Sequence, residues 1–370
     1  MGEKFMIKKF SVKNFKNFEN ILEVDFSRKR DYEFNQYLIK NGLINKMLIY
    51  GPNNSGKSNL GAAIMDITRH LTDNRNDNLL YAYYLNGNGV EQYVEFKYDF
   101  LFGTQEISYS YRKNINSLLL YEDLVINGKY IYKYNYENDS FENKIAEAST
   151  IDLKKRNRDM SVLKFIYANT MYWPEDSPVK LVIEFANNML WFRSLKQNEF
   201  MGLMANGEDL NDFIINNKLI KDFEQFLKNS GQNYHLCEMI ETGRKIIGVK
   251  FNKYIARFDI VASTGTKSLW LFYYWMNRSK DISFIYLDEF DAFYHTKLSK
   301  YILNYVNKKE CFQSILTTHN TYLADNELMR PDCYAILNDG ILKSFADRTN
   351  KTIRQAHNLE KMMLGGEFEE

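Results

Sequence analysis

Hydrophobic and polar residues alternate along the first part of the chain, and this is the period of strands with one buried face. The alternation predicts a strand over residues 4–12 and a hairpin partner over 22–26. It returns between residues 90 and 135 as a series of strands, where the Asn127-Gly128 pair is typical of a tight hairpin turn. These segments together predict an antiparallel β lobe.

Short, continuous apolar runs predict a second kind of strand, one that is buried on both faces. The run at residues 45–50 is followed by a periodic segment, 58–71, that predicts a helix. Near the C-terminus similar runs alternate with helical segments. They predict strands at 283–287, 313–317 and 333–337, and helices at 267–276 and 293–306. The two ends of the chain therefore predict one α/β unit that is divided by an insertion.

The middle of the chain, residues 150–240, reads as a set of amphipathic helices, and two strands are predicted after it at 245–251 and 254–261. The predicted organisation is a first part of an α/β domain over 1–145, a helical insertion over 146–242 and a second part of that domain over 243–370. Large apolar side chains at near-helical spacing are available for a partner or for the chain's own core, and the sequence leaves both open: Leu190, Trp191, Phe192, Phe213 and Phe226.

Composition and charge narrow the class of protein. With 45% hydrophobic residues a disordered chain is excluded, and a net charge of +1 excludes a protein that coats polyanions along its whole surface. The dense basic run at 154–158 is either a solvated helix end or a local contact for nucleic-acid phosphates. The three cysteines are far apart, and no apolar run is long enough for a membrane span. We therefore expect a cytoplasmic protein without a zinc ribbon, a disulfide framework or a membrane partner.

A phosphate-binding loop is the strongest motif of the chain. Residues 51–58, GPNNSGKS, match GxxxxGK[ST] and stand between a predicted strand and a predicted helix. Lys57 is expected to contact the β- and γ-phosphates of ATP, and the Ser58 hydroxyl to bind Mg²⁺. The residues expected to contact the nucleotide are Gly51, Pro52, Asn53, Asn54, Ser55, Gly56, Lys57, Ser58 and Asn59.

Two later strands end in residues suited to ATP hydrolysis. The run at 283–287 leads into Asp288, expected to hold the metal through water, and Glu289, expected to deprotonate the attacking water. The run at 313–317 is followed by His319, expected to hydrogen-bond the γ-phosphate. A kinase needs no such glutamate, and no guanine-reading motif is visible. The pattern therefore favours an ATPase over a kinase or a GTPase.

A second anion-binding loop is predicted just before the helix at 267–276. In the segment 262–268, ASTGTKS, the Ser263 hydroxyl and the backbone near Gly265 could bind an anion. A Gly-containing turn with a serine helix cap has the same sequence, so the segment alone does not decide between these interpretations.

Taken together these motifs resemble the ABC-type ATPases, and more narrowly the soluble branch related to the chromosome-maintenance (SMC) and OLD-family ATPases. The segments 10–18, 288–295, 330–333 and 354–366 are similar to sequences of that group. The resemblance implies an α/β fold, with an ABC-type P-loop core, an antiparallel β lobe and an inserted helical region. It also implies a homodimer, or a higher homo-oligomer, in which Ser263 and Gly265 act in trans on the ATP bound at Lys57 of another copy.

The sequence departs from this group at three places. The signature-like segment reads STGTK rather than LSGGQ, no glutamine can be assigned to a Q-loop, and Lys16 stands where relatives often carry arginine. A transporter subunit, which normally has both the Q-loop and the full signature, is therefore disfavoured.

The resemblance implies an ATP-hydrolysing enzyme whose nucleotide-dependent dimerisation senses or controls a separate, nuclease-like effector in bacterial anti-phage defence. Two alternatives remain open. One is a DNA-repair or chromosome ATPase that clamps DNA, although the chain has no room for long coiled-coil arms. The other is a non-catalytic, ATP-gated scaffold that holds a toxin or a nuclease. Nucleic acid stays open as a further partner, and so does the rate of hydrolysis.

Overall fold

The structure is a computed structural model that describes residues 5–73, 81–149, 151–152, 160–194, 199–203 and 209–369. Its strands are β1 Met6–Lys13, β2 Leu22–Asp25, β3 Ile39–Lys40, β4 Leu43–Ile44, β5 Lys46–Tyr50, β6 Tyr93–Phe102, β7 Gln105–Asn114, β8 Leu119–Ile126, β9 Lys129–Asn135, β10 Ser140–Asn143, β11 Met189–Arg193, β12 Glu199–Gly202, β13 Leu236–Glu241, β14 Arg244–Lys250, β15 Ile255–Arg257, β16 Phe284–Asp288, β17 Gln313–Thr317, β18 Tyr334–Asn338 and β19 Ile341–Ser344. Its α-helices are α1 Lys57–Leu71, α2 Val162–Asn169, α3 Pro178–Asn187, α4 Leu210–Asn216, α5 Ile220–Asn229, α6 Phe258–Val261, α7 Thr264–Asn277, α8 Thr296–Asn307 and α9 Leu359–Leu364.

The predicted β lobe is confirmed as a 7-stranded antiparallel sheet with the order β10-β9-β8-β7-β6-β1-β2. Its inward side chains are aromatic and aliphatic, and they pack on α1, where the Tyr98 hydroxyl donates to the backbone oxygen of Ala63 at 3.1 Å. The turn between β8 and β9 has Asn127 at φ 48° and Gly128 at φ 78°. Both residues therefore adopt the left-handed conformation that an Asn-Gly hairpin turn favours.

The second sheet also has 7 strands, in the order β12-β11-β16-β17-β5-β18-β19. The five inner strands, β11, β16, β17, β5 and β18, run parallel to one another. The edge strands β12 and β19 are antiparallel to their neighbours. Because the carboxyl ends of parallel strands meet at one edge of a sheet, the residues after β5, β16 and β17 lie close together. This arrangement confirms the predicted α/β fold, and it makes one site from segments far apart in the sequence.

The prediction that the middle of the chain is helical is wrong at three strands, which are β11 at 189–193, β12 at 199–202 and β13 at 236–241. Helices α2 to α5 are present in this middle part, but Leu190, Trp191 and Phe192 lie in β11, paired in parallel with β16. Every residue of β11 is buried. The physical reason is that a continuous apolar run suits either a buried helix or a strand covered on both faces, and the pairing with β16 makes this run a strand.

The other two apolar residues of that prediction also pack inside the chain. Phe213 of α4 meets the ring of Tyr274 edge to face, with the ring centres 4.7 Å apart, and Phe226 of α5 is 5% exposed. These side chains therefore belong to the core of the chain rather than to a free surface. The basic run at 154–158 lies outside the described residues.

A smaller correction concerns residues 254–261, which were predicted as one strand. The strand β15 ends at Arg257, and the short helix α6 begins at Phe258. Arg257 forms an ion pair with Asp259 at 2.7 Å, and an acidic residue in the first turn stabilises a helix start.

Among the described residues, no helix is long and apolar enough to cross a membrane.

We expect Trp191→Ala to lower the free energy of unfolding by about 3–5 kcal/mol, because it removes a fully buried side chain that packs on Tyr286. Tyr172→Ala, at a position that is 75% exposed, is the matched control in the same middle segment and should change stability little. The measurement is urea unfolding followed by circular dichroism. Equal midpoints for the two variants would contradict the placement of Trp191 in the core.

Candidate functional site

The phosphate loop joins the end of β5 to the start of α1. Gly56 at its tip has φ 100°, in the left-handed region that favours glycine. A side chain there would also collide with its surroundings, because its Cβ would lie 2.5 Å from Asn17 Nδ2 and 2.8 Å from the Phe18 ring. Gly51 is equally restricted, since a Cβ would lie 2.4 Å from the backbone oxygen of Leu337. The loop therefore needs glycine at both positions for its tight curl.

Asn17 holds the loop from the outside, a role that the sequence interpretation missed. Its Nδ2 donates to the backbone oxygen of Ser55 at 3.3 Å, and its Oδ1 accepts from Asn59 Nδ2 at 2.7 Å. The signal in the sequence is the segment 10–18, one of the segments that resemble the ABC- and SMC-type group. Asn17 thus links the connection between β1 and β2 to the phosphate loop at Ser55 and to the first turn of α1 at Asn59.

Lys57 points back across the loop, and its side chain is buried. Its Nζ donates to the backbone oxygens of Gly51 at 2.9 Å and Pro52 at 3.2 Å, and it lies 2.9 Å from His319 Nε2. Burial lowers the pKa of Lys57, and the nearby carboxylates of Glu289 and Asp288 partly offset this effect. Because an ammonium group has only donors, the charged Lys57 requires His319 Nε2 to be the acceptor and Nδ1 to carry the proton.

The acidic pair lies at the end of β16, beside this lysine and histidine. Glu289 Oε1 is 3.7 Å from His319 Nε2. Two residues before Asp288, the Tyr286 hydroxyl donates to the backbone oxygen of Lys57 at 2.5 Å, which fixes β16 against the start of α1. The structure therefore brings together Lys57, Asp288, Glu289 and His319, four of the residues that the sequence singled out.

Two threonines at the end of β17 form hydrogen bonds with the acidic residues that end and follow β16. The sequence interpretation gave neither threonine a role. The Thr317 hydroxyl donates to Asp288 Oδ1 at 2.9 Å and accepts from the Glu289 backbone N–H at 2.7 Å. The Thr318 hydroxyl donates to the carboxylate of Asp291 at 2.8 Å. Burial raises the pKa of Asp291, and the Thr318 hydrogen bond opposes this shift.

The signature-like segment forms the start of α7, which begins at Thr264 rather than after the predicted loop 262–266. The exposed Ser263 is the N-cap, because its hydroxyl accepts from the Thr266 backbone N–H at 3.2 Å. A Cβ on Gly265 would lie 3.3 Å from the backbone oxygen of Phe293, so this helix start packs on the loop that follows the acidic pair. No hydrogen bond within the described residues joins 263–268 to the phosphate loop.

The donors at this sheet edge fit a nucleotide triphosphate with a divalent cation. The first turn of α1 leaves backbone N–H groups without intrahelical partners, and these donors are available to an anion at the loop. The Ser58 hydroxyl is exposed beside Lys57, and the Asp288 carboxylate is held by Thr317. Oxygen ligands of this kind suit Mg²⁺, which is usually bound by few protein groups together with phosphate oxygens.

Comparison with known proteins gives one family match, over residues 46–172. The family is described as "AAA domain, putative AbiEii toxin, Type IV TA system", and the matched segment contains β5, the phosphate loop and α1. A search of curated proteins gives no significant match.

Two solved structures are among those that match this chain. The structure of an SmcHead bound to the C-winged helix domain of ScpA is 16% identical, and the alignment covers 92% of this chain and 96% of that chain, with a TM-score of 0.48. The SMC head domain from Thermotoga maritima is 15% identical, and the alignment covers 93% of this chain and 98% of that chain, with a TM-score of 0.44.

Proposed function

We propose that this chain, an ABC/SMC-like ATPase by its strand order and family segment, binds and hydrolyses Mg-ATP where β5, β16 and β17 end. One observation carries the proposal: His319 Nε2 lies 2.9 Å from Lys57 Nζ and 3.7 Å from Glu289 Oε1. The Lys57 ammonium, the His319 imidazole and the Glu289 carboxylate therefore lie next to one another. They lie near the N-terminus of α1, where a γ-phosphate would be held.

Each side chain has a defined role in this proposal. Lys57 donates to the β/γ-phosphates, in place of its present contacts with the loop carbonyls. Glu289 orients the attacking water and accepts its proton. His319 Nε2 no longer accepts from Lys57 once the lysine contacts the phosphates, so the ring can direct an N–H to a γ-phosphate oxygen. Ser58 and Asp288 would hold Mg²⁺, Asp288 through water. The ion, when bound, neutralises charge that develops on the phosphate oxygens.

The test is phosphate release by the purified chain with ATP, in Mg²⁺ and in EDTA. We expect release only in Mg²⁺ and none above background for Lys57→Ala. A chain that binds ATP tightly but never releases phosphate would contradict hydrolysis, and it would support the ATP-gated scaffold instead.

We further propose that the chain works as a homodimer, in which Ser263 and Gly265 of one copy complete the ATP site of the other. Within one copy, these residues contact Thr266 and the loop of Phe293, and they make no hydrogen bond to the phosphate loop within the described part of the chain. An exposed helix start with a hydroxyl cap suits an anion supplied from outside the subunit.

Gly265→Asp should leave ATP affinity of the isolated chain nearly unchanged, and weaken ATP-dependent self-association by about tenfold or more, because its carboxylate would face the γ-phosphate. Gly265→Asn has the same size without the charge and is the matched control. The measurement is light scattering with ATP, in chains that also carry Glu289→Gln. If both Gly265 variants assemble as well as their parent, the proposal that this segment acts in trans fails.

We also propose a role for this dimer: its nucleotide-dependent assembly controls a separate, nuclease-like effector in anti-phage defence. The family description over residues 46–172, which names a toxin–antitoxin system, supports this direction. The test is to co-express the chain with the product of a neighbouring gene and to purify both with and without ATP. We expect a complex whose yield changes with nucleotide. A neighbour that never associates would contradict its role as the effector.

A further inference from the structure

Thr317 lies at the point where the central sheet meets the acidic pair. It is the last residue of β17, it is fully buried, and β17 runs parallel to β16 with Leu316 opposite Leu287. Its hydroxyl donates to Asp288 Oδ1 at 2.9 Å and accepts from the Glu289 N–H at 2.7 Å. One hydroxyl therefore contacts both residues of the acidic pair, using its donor for one and an acceptor site for the other.

The backbone shows why this contact matters. Consecutive residues of an extended strand point to opposite faces, so a continued β16 would send Asp288 and Glu289 in opposite directions. The chain instead turns at Glu289, whose φ of 47° is in the left-handed region that non-glycine residues rarely adopt. The turn brings Glu289 Oε1 to 3.7 Å from His319 Nε2.

The left-handed turn is held at two points, both by Thr317. The Glu289 N–H donates to the Thr317 hydroxyl, and the Phe290 N–H donates to the Thr317 backbone oxygen at 3.2 Å. Threonine is well suited to this position, because branching at Cβ restricts χ1 and so fixes the direction of the hydroxyl. The neighbouring Thr318 donates to a different carboxylate, Asp291, and within the described part of the chain it makes no hydrogen bond to the acidic pair.

We propose that Thr317 is the positioning residue of the ATPase site: its hydroxyl orients the Asp288 carboxylate towards the metal and holds Glu289 in its turn towards the attacking water. This inference rests on the proposed function, because it assigns those roles to Asp288 and Glu289. Thr317 acts through these two residues, because its buried hydroxyl bonds to Asp288 and to the Glu289 N–H.

The test uses three variants of the full chain. Thr317→Val keeps the shape and removes the hydroxyl, Thr317→Ser keeps the hydroxyl and removes the methyl group, and Ser314→Ala is the control. Ser314 lies on the same strand with a buried hydroxyl that has no hydrogen-bond partner in the structure, so its removal should change little. Each variant is assayed for ATP binding in EDTA, for the Mg²⁺ dependence of ATP binding, and for phosphate release.

We expect Thr317→Val to bind ATP in EDTA as the parent does, because Lys57 and the phosphate loop are unchanged. It should need more Mg²⁺ to reach the same ATP affinity, since Asp288 loses its donor. Its turnover should fall about 10²-fold, the size of effect expected when a catalytic group is displaced by about 1 Å. Thr317→Ser should restore both properties, and Ser314→Ala should match the parent.

Several results would overturn the inference. They are parental Mg²⁺ dependence and turnover in Thr317→Val, an equal loss in Thr317→Ser, or a loss of ATP binding in EDTA, which would make the role of Thr317 purely structural. Failure of the proposed function gives a different result. A parent that never releases phosphate refutes hydrolysis, while the Mg²⁺ titration of ATP binding still decides whether Thr317 positions Asp288.

Discussion

Glu289→Gln is expected to bind ATP as tightly as the parent and to hydrolyse it about 10²–10⁴ times more slowly, the usual cost of removing a general base. Glutamine has nearly the same shape as glutamate, and the backbone N–H that bonds to Thr317 is unaffected. The amide cannot accept a proton from water, however, so the step that requires a base is lost while the phosphate contacts of Lys57 remain.

This variant should also accumulate as an ATP-bound dimer, because the bound nucleotide is no longer consumed. Single-turnover phosphate release measures the chemical step, and light scattering measures assembly. Glu327→Gln, an exposed glutamate, is the matched control and should behave as the parent. If Glu289→Gln turns over at the parental rate, Glu289 is not the base and another group must activate the water.

Lys57→Ala is expected to lose at least about 100-fold in ATP affinity, since a hydrogen bond to a charged group contributes about 1.5–3 kcal/mol and Lys57 would make more than one. The remaining backbone donors of the loop cannot replace a buried ammonium. The structure also predicts a local effect, because the carbonyls of Gly51 and Pro52 and the ring of His319 lose their shared partner.

The measurement for Lys57→Ala is a titration with a fluorescent ATP analogue, together with a thermal melt that shows whether the chain is folded. Lys297→Ala removes an exposed lysine from α8 and serves as the control. Parental affinity in a folded Lys57→Ala variant would contradict the assignment of the phosphate loop, and with it the position of the whole site.

Local sequence predicted the elements that carry the site well. The strands β5, β16 and β17 and the helix α1 lie within a residue or so of their predicted bounds. The reason is that each buried strand is a short apolar run, and the motif residues mark where it ends. The sequence therefore also indicated that Asp288, Glu289 and His319 follow strand ends and that Lys57 stands at the start of a helix.

The rest of the site depends on contacts between distant residues, which local patterns do not contain. The apolar run of β11 fits a buried helix as well as a strand, and only its pairing with β16 decides between them. The left-handed turn at Glu289 is not expected for a glutamate, because it is stabilised by Thr317 from another strand. Asn17 likewise gains its role only when β1 and the phosphate loop are adjacent.

The strand order has a consequence for synthesis on the ribosome. The strands of the β lobe from β6 to β10 pair mainly with their neighbours in the chain, so they can pair soon after they emerge. The strand β5 has only β17 and β18 as neighbours in its sheet, and both are made much later. The phosphate loop therefore leaves the ribosome long before the strands that hold it in place. A nascent chain that stops before residue 313 should bind no ATP, although its β lobe is already formed.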